Sequence, residues 1–369
     1  MRALDDRMLE GKGPRKDNNF GALRLVFASV VILSHSAEIL DGDRSREILT
    51  QIFGTLSSGI LGVDGFFIIS GYLITKSFLS SPTLFDYMKR RVLRIYPAFV
   101  VCFWLSLLVL APFVGAGWGV FHPAALARSA VRTALLFRPN PKGVFPGMPY
   151  PALNGSMWSI TYEFQCYIMV IFLSAAGFLK GPLRYILLFA TLAALVAVGF
   201  VDYRSSHSVF GVAVSGSRYN YLATFPMFLA GTSYLLLQRH IVYNNVLAAA
   251  AAVLLIISLF FQPLVALALA VLGGYLIFWF ALHFPVLSIS RFTNKTDLSY
   301  GIYLWAWPIQ STIAFVTHRS INPWALSLIT LALASAAAWV SWTVIEKPAL
   351  ALAHRTSSTS RPLSRVSVT

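Results

Sequence analysis

From Ile241 to Ser290 the chain contains no Asp, Glu, Lys or Arg. Water offers little to a stretch of that length and composition. Hydrocarbon accepts it, provided that each backbone N–H and C=O is paired within the segment. Runs of about 20 apolar residues then cross a bilayer as helices. The rest of the chain agrees: of 369 residues, 57% are hydrophobic and 12% charged, against about a quarter charged in an ordinary soluble domain. Disorder, a soluble nucleic-acid-binding module and a small disulfide scaffold are poor readings of this composition. Cys102 and Cys166 lie inside apolar runs without CxxC or Cys/His spacing, so they read as packing residues and no metal site is expected.

Apolar windows and the polar breaks between them predict an all-α membrane bundle of about ten spans, near 20–40, 51–75, 95–113, 156–178, 183–201, 219–237, 243–261, 263–283, 298–317 and 322–345. An even number puts both termini on one side. If that side is cytoplasmic, 20 of the 29 Lys and Arg lie in or beside cytoplasmic segments and nine face out, as the positive-inside tendency requires. The formal charge of +15 is then mainly an orientation signal. The expected organisation is a cytoplasmic segment 1–19, a membrane domain 20–348 and a basic, disordered tail 349–369. The first apolar run holds Arg24 and His35 and no small-residue cleavage site, so it reads as a retained span. One connection is long: residues 114–155, external in this topology, include an amphipathic stretch from Phe121 to Phe137 with Arg128 and Arg132.

Ionisable groups inside spans are costly and therefore suggest function. Four stand out: Arg24 and His35 in the first span, Asp64 in the second and Glu163 in the fourth. Eleven positions separate Arg24 from His35, about three turns, so one helix face carries both about 16.5 Å apart. His35 is the candidate for proton chemistry. Glu163 falls at a comparable depth, about 10 Å below the outer surface, where a carboxylate can orient an imidazole. Each group has a plainer alternative. Arg24 can snorkel, His35 can be a packing residue, Glu163 can bond a neighbouring helix, and Asp64 can pair with Arg24 for structure alone. Arg91 and Arg94 are three apart on one helix face beside the third span, a geometry for paired phosphate contacts or simply a topology signal.

The ordered motifs carry a resemblance. Arg24 and His35 with ten residues between them, Gly62-Val63-Asp64-Gly65-Phe66-Phe67-Ile68-Ile69-Ser70-Gly71-Tyr72-Leu73, Arg91-Val92-Leu93-Arg94-Ile95-Tyr96-Pro97, Trp158-Ser159-Ile160-Thr161-Tyr162-Glu163, Ser299-Tyr300-Gly301-Ile302-Tyr303-Leu304-Trp305 and Glu346-Lys347-Pro348 resemble the acyltransferase-3 family of integral-membrane acyltransferases over residues 18–350. The sequence departs from the family at Ala306, where Leu-Trp-His-Trp-Pro is frequent. The resemblance implies a multi-pass enzyme of the bacterial cytoplasmic (inner) membrane, of the stand-alone O-acetyltransferase type. Such an enzyme takes an acyl group, commonly acetyl, from cytoplasmic acyl-coenzyme A to a hydroxyl of an extracytoplasmic glycan or lipid-linked glycan; macrolides are alternative acceptors.

On that reading Arg24, Arg91 and Arg94 hold the donor's phosphates and His35 is the general base. Glu163 and Asp64 support catalysis, while Trp158 and Tyr162 stack on the acceptor sugar. Partners are the donor, the acceptor and membrane lipid, with no nucleic acid and no metal. Direct transfer needs no enzyme nucleophile, although an acyl-histidine intermediate is the alternative. The rivals from other classes are a secondary transporter, which would use the buried charges as ion sites, and a membrane component of an export complex.

Overall fold

The computed structural model describes residues 18–200 and 218–355, with side chains over 18–200 and 220–353. Most of the expected N-terminal segment, His207 and the end of the basic tail lie outside the described residues. Within them the chain is helices and connections, without strands. We number the helices α1 (Phe20–Asp41), α2 (Ile48–Phe53), α3 (Ser58–Leu79), α4 (Leu84–Leu105), α5 (Pro123–Ala134), α6 (Trp158–Ala175) and α7 (Leu183–Gly199). They continue as α8 (Arg218–Leu236), α9 (Asn245–Ser258), α10 (Gln262–Leu282), α11 (Ser288–Thr293), α12 (Ser299–Val316), α13 (Pro323–Ser341) and α14 (Lys347–Arg355).

Five of these stretches are long and apolar enough to cross a membrane: Phe20–Asp41, Ser58–Leu79, Leu84–Leu110, Gln262–Leu282 and Pro323–Ala353. Large apolar side chains such as Phe113, Phe172, Phe189, Val246 and Leu328 are exposed, as helices facing lipid require.

Local chemistry sets the boundaries. α1 stops at Gly42, whose φ of 85° forms the left-handed cap with its N–H on the Glu38 carbonyl. The expected second span, 51–75, is divided: Gly54 ends short α2, and Ser57 caps the Ile60 N–H to start α3. The third span begins earlier than expected, because Thr83 caps α4 at Asp86. Arg91 and Arg94 therefore lie within the helix itself. α4 continues past Pro97 and through a wider π turn, Ser106–Leu110. The amphipathic stretch forms α5, started by His122 and Pro123. At the other end, the boundary expected at 349 falls inside α14, so residues 349–355 are helical rather than irregular.

Glycines let the central helices touch. A Cβ on Gly71 would meet the Phe228 carbonyl oxygen at 1.9 Å, and one on Gly231 would meet that of Ile68 at 1.9 Å. α3 and α8 thus cross backbone to backbone, as small residues allow in membranes. Against α1, Gly62 lies beside the Phe27 carbonyl and the Val31 side chain, and Gly65 lies beside the Phe27 ring. α1 is packed by α3, α12 and α13, and this group positions the site.

Candidate active site

His35 sits near the C-terminal end of α1, and its Nδ1 lies 2.9 Å from Glu38 Oε2, one turn further along the helix. An ionised carboxylate only accepts hydrogen bonds. Nδ1 therefore carries the proton of the neutral imidazole, and the Nε2 lone pair is left for another partner. The Trp307 ring stands edge-on to the imidazole, with centroids 4.7 Å apart at 75°. Trp307 is itself held: its Nε1 donates to the Ala152 carbonyl at 2.9 Å, and Gly155 lies where any side chain would strike the indole. Arg44 Nη2 donates to both Glu38 oxygens at 3.3 and 3.2 Å. The side chains of His35 and Glu38 are 13% and 12% exposed.

The opposite end of α1 meets a second charged cluster. Asp297, in the connection before α12, accepts from Arg94 at 2.6 Å and pairs with Arg24 at 3.1 Å. Arg94 also reaches Glu346, in the π turn after α13, at 3.5 Å. Burial alone would raise the Asp297 carboxyl; Arg24, Arg94 and the hydrogen bonds from Ser299 hold it well below the usual carboxylate range. Two guanidinium groups and two carboxylates so balance one another at one end of the bundle. Arg24 pairs with Asp297, and among the described residues neither Arg24 nor another cation pairs with Asp64. The Arg91 guanidinium lies 5.8 Å from the Tyr167 ring centre. Among the described residues the Nε atoms of Arg24, Arg90 and Arg91 are buried without a hydrogen-bond partner.

The structure does not join Glu163 to His35. Glu163 accepts from Tyr167 at 2.6 Å and from Ser70 at 3.3 Å, so it ties α6 to α3. Asp64 is buried between the two glycines that press on α1, and its carboxylate has no ion-pair or hydrogen-bond partner among the described residues. Trp158 and Tyr162 meet edge to face at 5.7 Å, and Tyr162 meets Tyr221 at 4.7 Å. Tyr162 is buried, whereas Trp158 keeps part of its ring open. Ala306 packs among Ala28, Ile32 and Ala338; its neighbour Trp307 is the residue of that motif that touches His35.

A family model for the acyltransferase domain matches residues 17–346. The chain belongs to the acyltransferase-3 family. It is accordingly an enzyme, an acyltransferase of the O-acetyltransferase kind built on apolar helices, and the transporter and export-component readings fall away. An O-acetyl transferase of Shigella phage Sf6 is 25% identical over 347 residues, 90% of this chain and 96% of that protein. Nodulation protein 10 of Rhizobium leguminosarum bv. viciae is 28% identical over 374 residues, 94% of this chain and 96% of that protein. O-acetyltransferase OatA of Staphylococcus aureus is 47% identical over 55 residues, 13% of this chain and 9% of that protein. No solved structure matches the chain.

Sequence reasoning missed Glu38, Arg44, Trp307 and Asp297. Glu38 carried a usable signal, since residues three apart share a helix face. Asp297 carried none, because its partners Arg24 and Arg94 come from two other helices.

Proposed function

We propose that this acyltransferase moves an acetyl group from cytoplasmic acetyl-coenzyme A to a hydroxyl of an extracytoplasmic glycan. It does so as a protein of about ten spans in the bacterial cytoplasmic membrane, with both termini inside. The observation that carries the proposal is the His35–Glu38 pair, an imidazole held through Nδ1 against a carboxylate at a partly buried position of a membrane helix. His35 Nε2 takes the proton of the acceptor hydroxyl as its oxygen attacks the thioester carbonyl. The imidazolium then returns that proton to the departing thiolate, so the products are an ester and a free thiol. Glu38, rather than Glu163, takes the orienting part.

The donor's phosphates belong at the other end of α1. The unpartnered Nε atoms of Arg24 and Arg91 support contacts there. Arg94, already matched by Asp297 and Glu346, serves to hold the frame. Some 16.5 Å of α1 separates Arg24 from His35, a distance suited to the thin pantetheine arm. The half-open Trp158 is the residue suited to stack on a sugar, with Tyr162 backing it. Asp64 is kept for a supporting role near α1.

The test is transfer of labelled acetyl from acetyl-coenzyme A to cell-envelope glycan by the purified protein, and by His35→Ala of confirmed membrane expression. Transfer by the native chain and its loss in His35→Ala are expected. Undiminished transfer by His35→Ala overturns the assignment of the base.

A further inference from the structure

We infer that Arg44 is a positioning residue for His35, acting through Glu38 and tying the outer end of the site to the first turn of α3. This rests on the proposed reading of His35 as the base.

The connection from Gly42 to Ser57 is pinned at several points. Arg46 makes a bidentate pair with Asp41 at 2.6 and 2.5 Å. The Ser45 N–H donates to Asp43 at 2.8 Å, and the Glu47 N–H donates to the Arg44 carbonyl at 3.0 Å. The Glu47 carboxylate accepts from the Thr50 N–H at 2.8 Å and from Ser58. With Arg46 and Glu47 occupied in this way, Arg44 is the cation of the turn that points inward. One nitrogen meets Glu38, and Nη1 donates to Ser57 Oγ at 3.1 Å. Ser57 Oγ in turn accepts the Ile60 N–H at 3.3 Å.

Arg44 thus joins the carboxylate that holds His35 to the N-cap of α3. That helix abuts α1 beside the histidine, where a Cβ on Gly59 would meet Ser34 Oγ at 2.8 Å. Exposure rises from 12% for Glu38 to 34% for Arg44, so the row leads from the partly buried His35–Glu38 pair toward the outer face.

Few other charges bear on His35. α12 brings the uncharged Trp307, and α13 brings Ser327, bonded to Ser36 at 2.6 Å. Arg319, from the turn before α13, is spent on the Leu40 carbonyl at 3.4 Å. On α3, Asp64 makes no pair with the histidine; Glu47, the N-cap of α2, is taken by Ser58 and Thr50. α10 and α11 meet α1 at its other end, around Phe20, Gly21 and Asn19. The local field at the imidazole is therefore set chiefly by Glu38 against Arg44.

Arg44 places a positive charge beside the Glu38–His35 pair, so a variant without that charge should alter the pH dependence of the reaction, whereas one that keeps it should not. The experiment follows coenzyme A release from acetyl-coenzyme A in proteoliposomes with extracted cell-envelope glycan, as a function of pH. In Arg44→Gln the acid limb of kcat should move by about half to one pH unit, with kcat reduced and the donor KM within about twofold. Arg44→Lys keeps the charge and should hold the limb at its native position. A structural role alone would lower the folded amount without moving the limb.

Superimposable limbs for the native enzyme and Arg44→Gln overturn the inference, as does an equal shift in Arg44→Lys. Where Arg44→Gln fails to fold, Ser57→Ala decides: a several-fold lower kcat at native KM supports the tether, and native kcat overturns it. If His35→Ala itself retains activity, the reading of the base has failed. If His35→Ala is inactive and the Arg44→Gln limb is unmoved, only this inference has.

Discussion

Arg94 and Asp297 meet at 2.6 Å across 203 positions of sequence. The contact fastens α4 to the connection before α12, and Arg24 on the same carboxylate adds α1. Removing one partner of a fully buried pair costs about 3–5 kcal/mol, because the other charge is left uncompensated; with the side chains of Arg24, Arg94 and Asp297 at 28%, 18% and 14% exposure the cost here is smaller. Asp297→Ala should therefore lower the thermal stability of the purified protein, and more than an alanine at the exposed Asp43. Equal effects of the two substitutions would show that the buried network contributes no more than a surface carboxylate.

The same carboxylate sets a pH dependence. Its folded-state pKa lies below the ordinary value of 3.8 because of Arg24 and Arg94. Its stabilisation is thus fully present above that ordinary value and is lost as pH falls through the lower folded one. Melting temperatures recorded from pH 7 down to about 3 should stay level with respect to this group and then decline at the acid end. In Asp297→Asn that part of the decline should vanish. An unchanged acid slope in the variant would assign the decline to other carboxylates.

Helix contact at Gly71 gives a separate test. A methyl there has the Phe228 carbonyl at 1.9 Å, backbone against backbone, with no flexible side chain to yield. Gly71→Ala should force α3 and α8 apart and destabilise by about 1–3 kcal/mol, read as lower melting temperature and lower yield in membranes. Gly54→Ala is the control for a glycine that meets nothing within 4 Å but has φ of 72°, where the loss comes from backbone strain alone. Native stability in Gly71→Ala would mean the helices do not cross as closely as described.

Composition and apolar period made the helical membrane class legible, because lipid leaves few ways to satisfy a backbone. Boundaries were legible where a cap marked them, as Asn322 and Pro323 do for α13, and less so at Gly54, which splits the expected second span. His35 was legible because an imidazole inside a span is conspicuous. Its partner was less so, because Glu163 at matching depth on another helix is as plausible a carboxylate in the sequence as Glu38 one turn away on the same one. The arginines were legible as a cluster, but their carboxylates come from the connection before α12 and from the π turn after α13, and sequence carries no record of that meeting.

Glu38 and Glu163 can be told apart by the same conservative change. In Glu163→Gln the amide oxygen still accepts from Tyr167 and Ser70, the bonds made at 2.6 and 3.3 Å. The tie between α6 and α3 survives, and kcat should remain within about threefold, because no interaction with His35 is altered. In Glu38→Gln the amide can present its NH2 to His35 Nδ1, which favours the tautomer with the proton on Nε2 and withdraws the lone pair that the reaction needs. It also leaves Arg44 without its carboxylate. Wrong-tautomer changes of this kind reduce turnover by up to about 10⁴, so a loss of at least about tenfold in kcat is expected, with the donor KM little changed. Acetyl transfer by both variants at matched expression makes the comparison. A greater loss in Glu163→Gln than in Glu38→Gln would return the orienting role to Glu163 and require the fourth-span carboxylate to reach His35 during turnover.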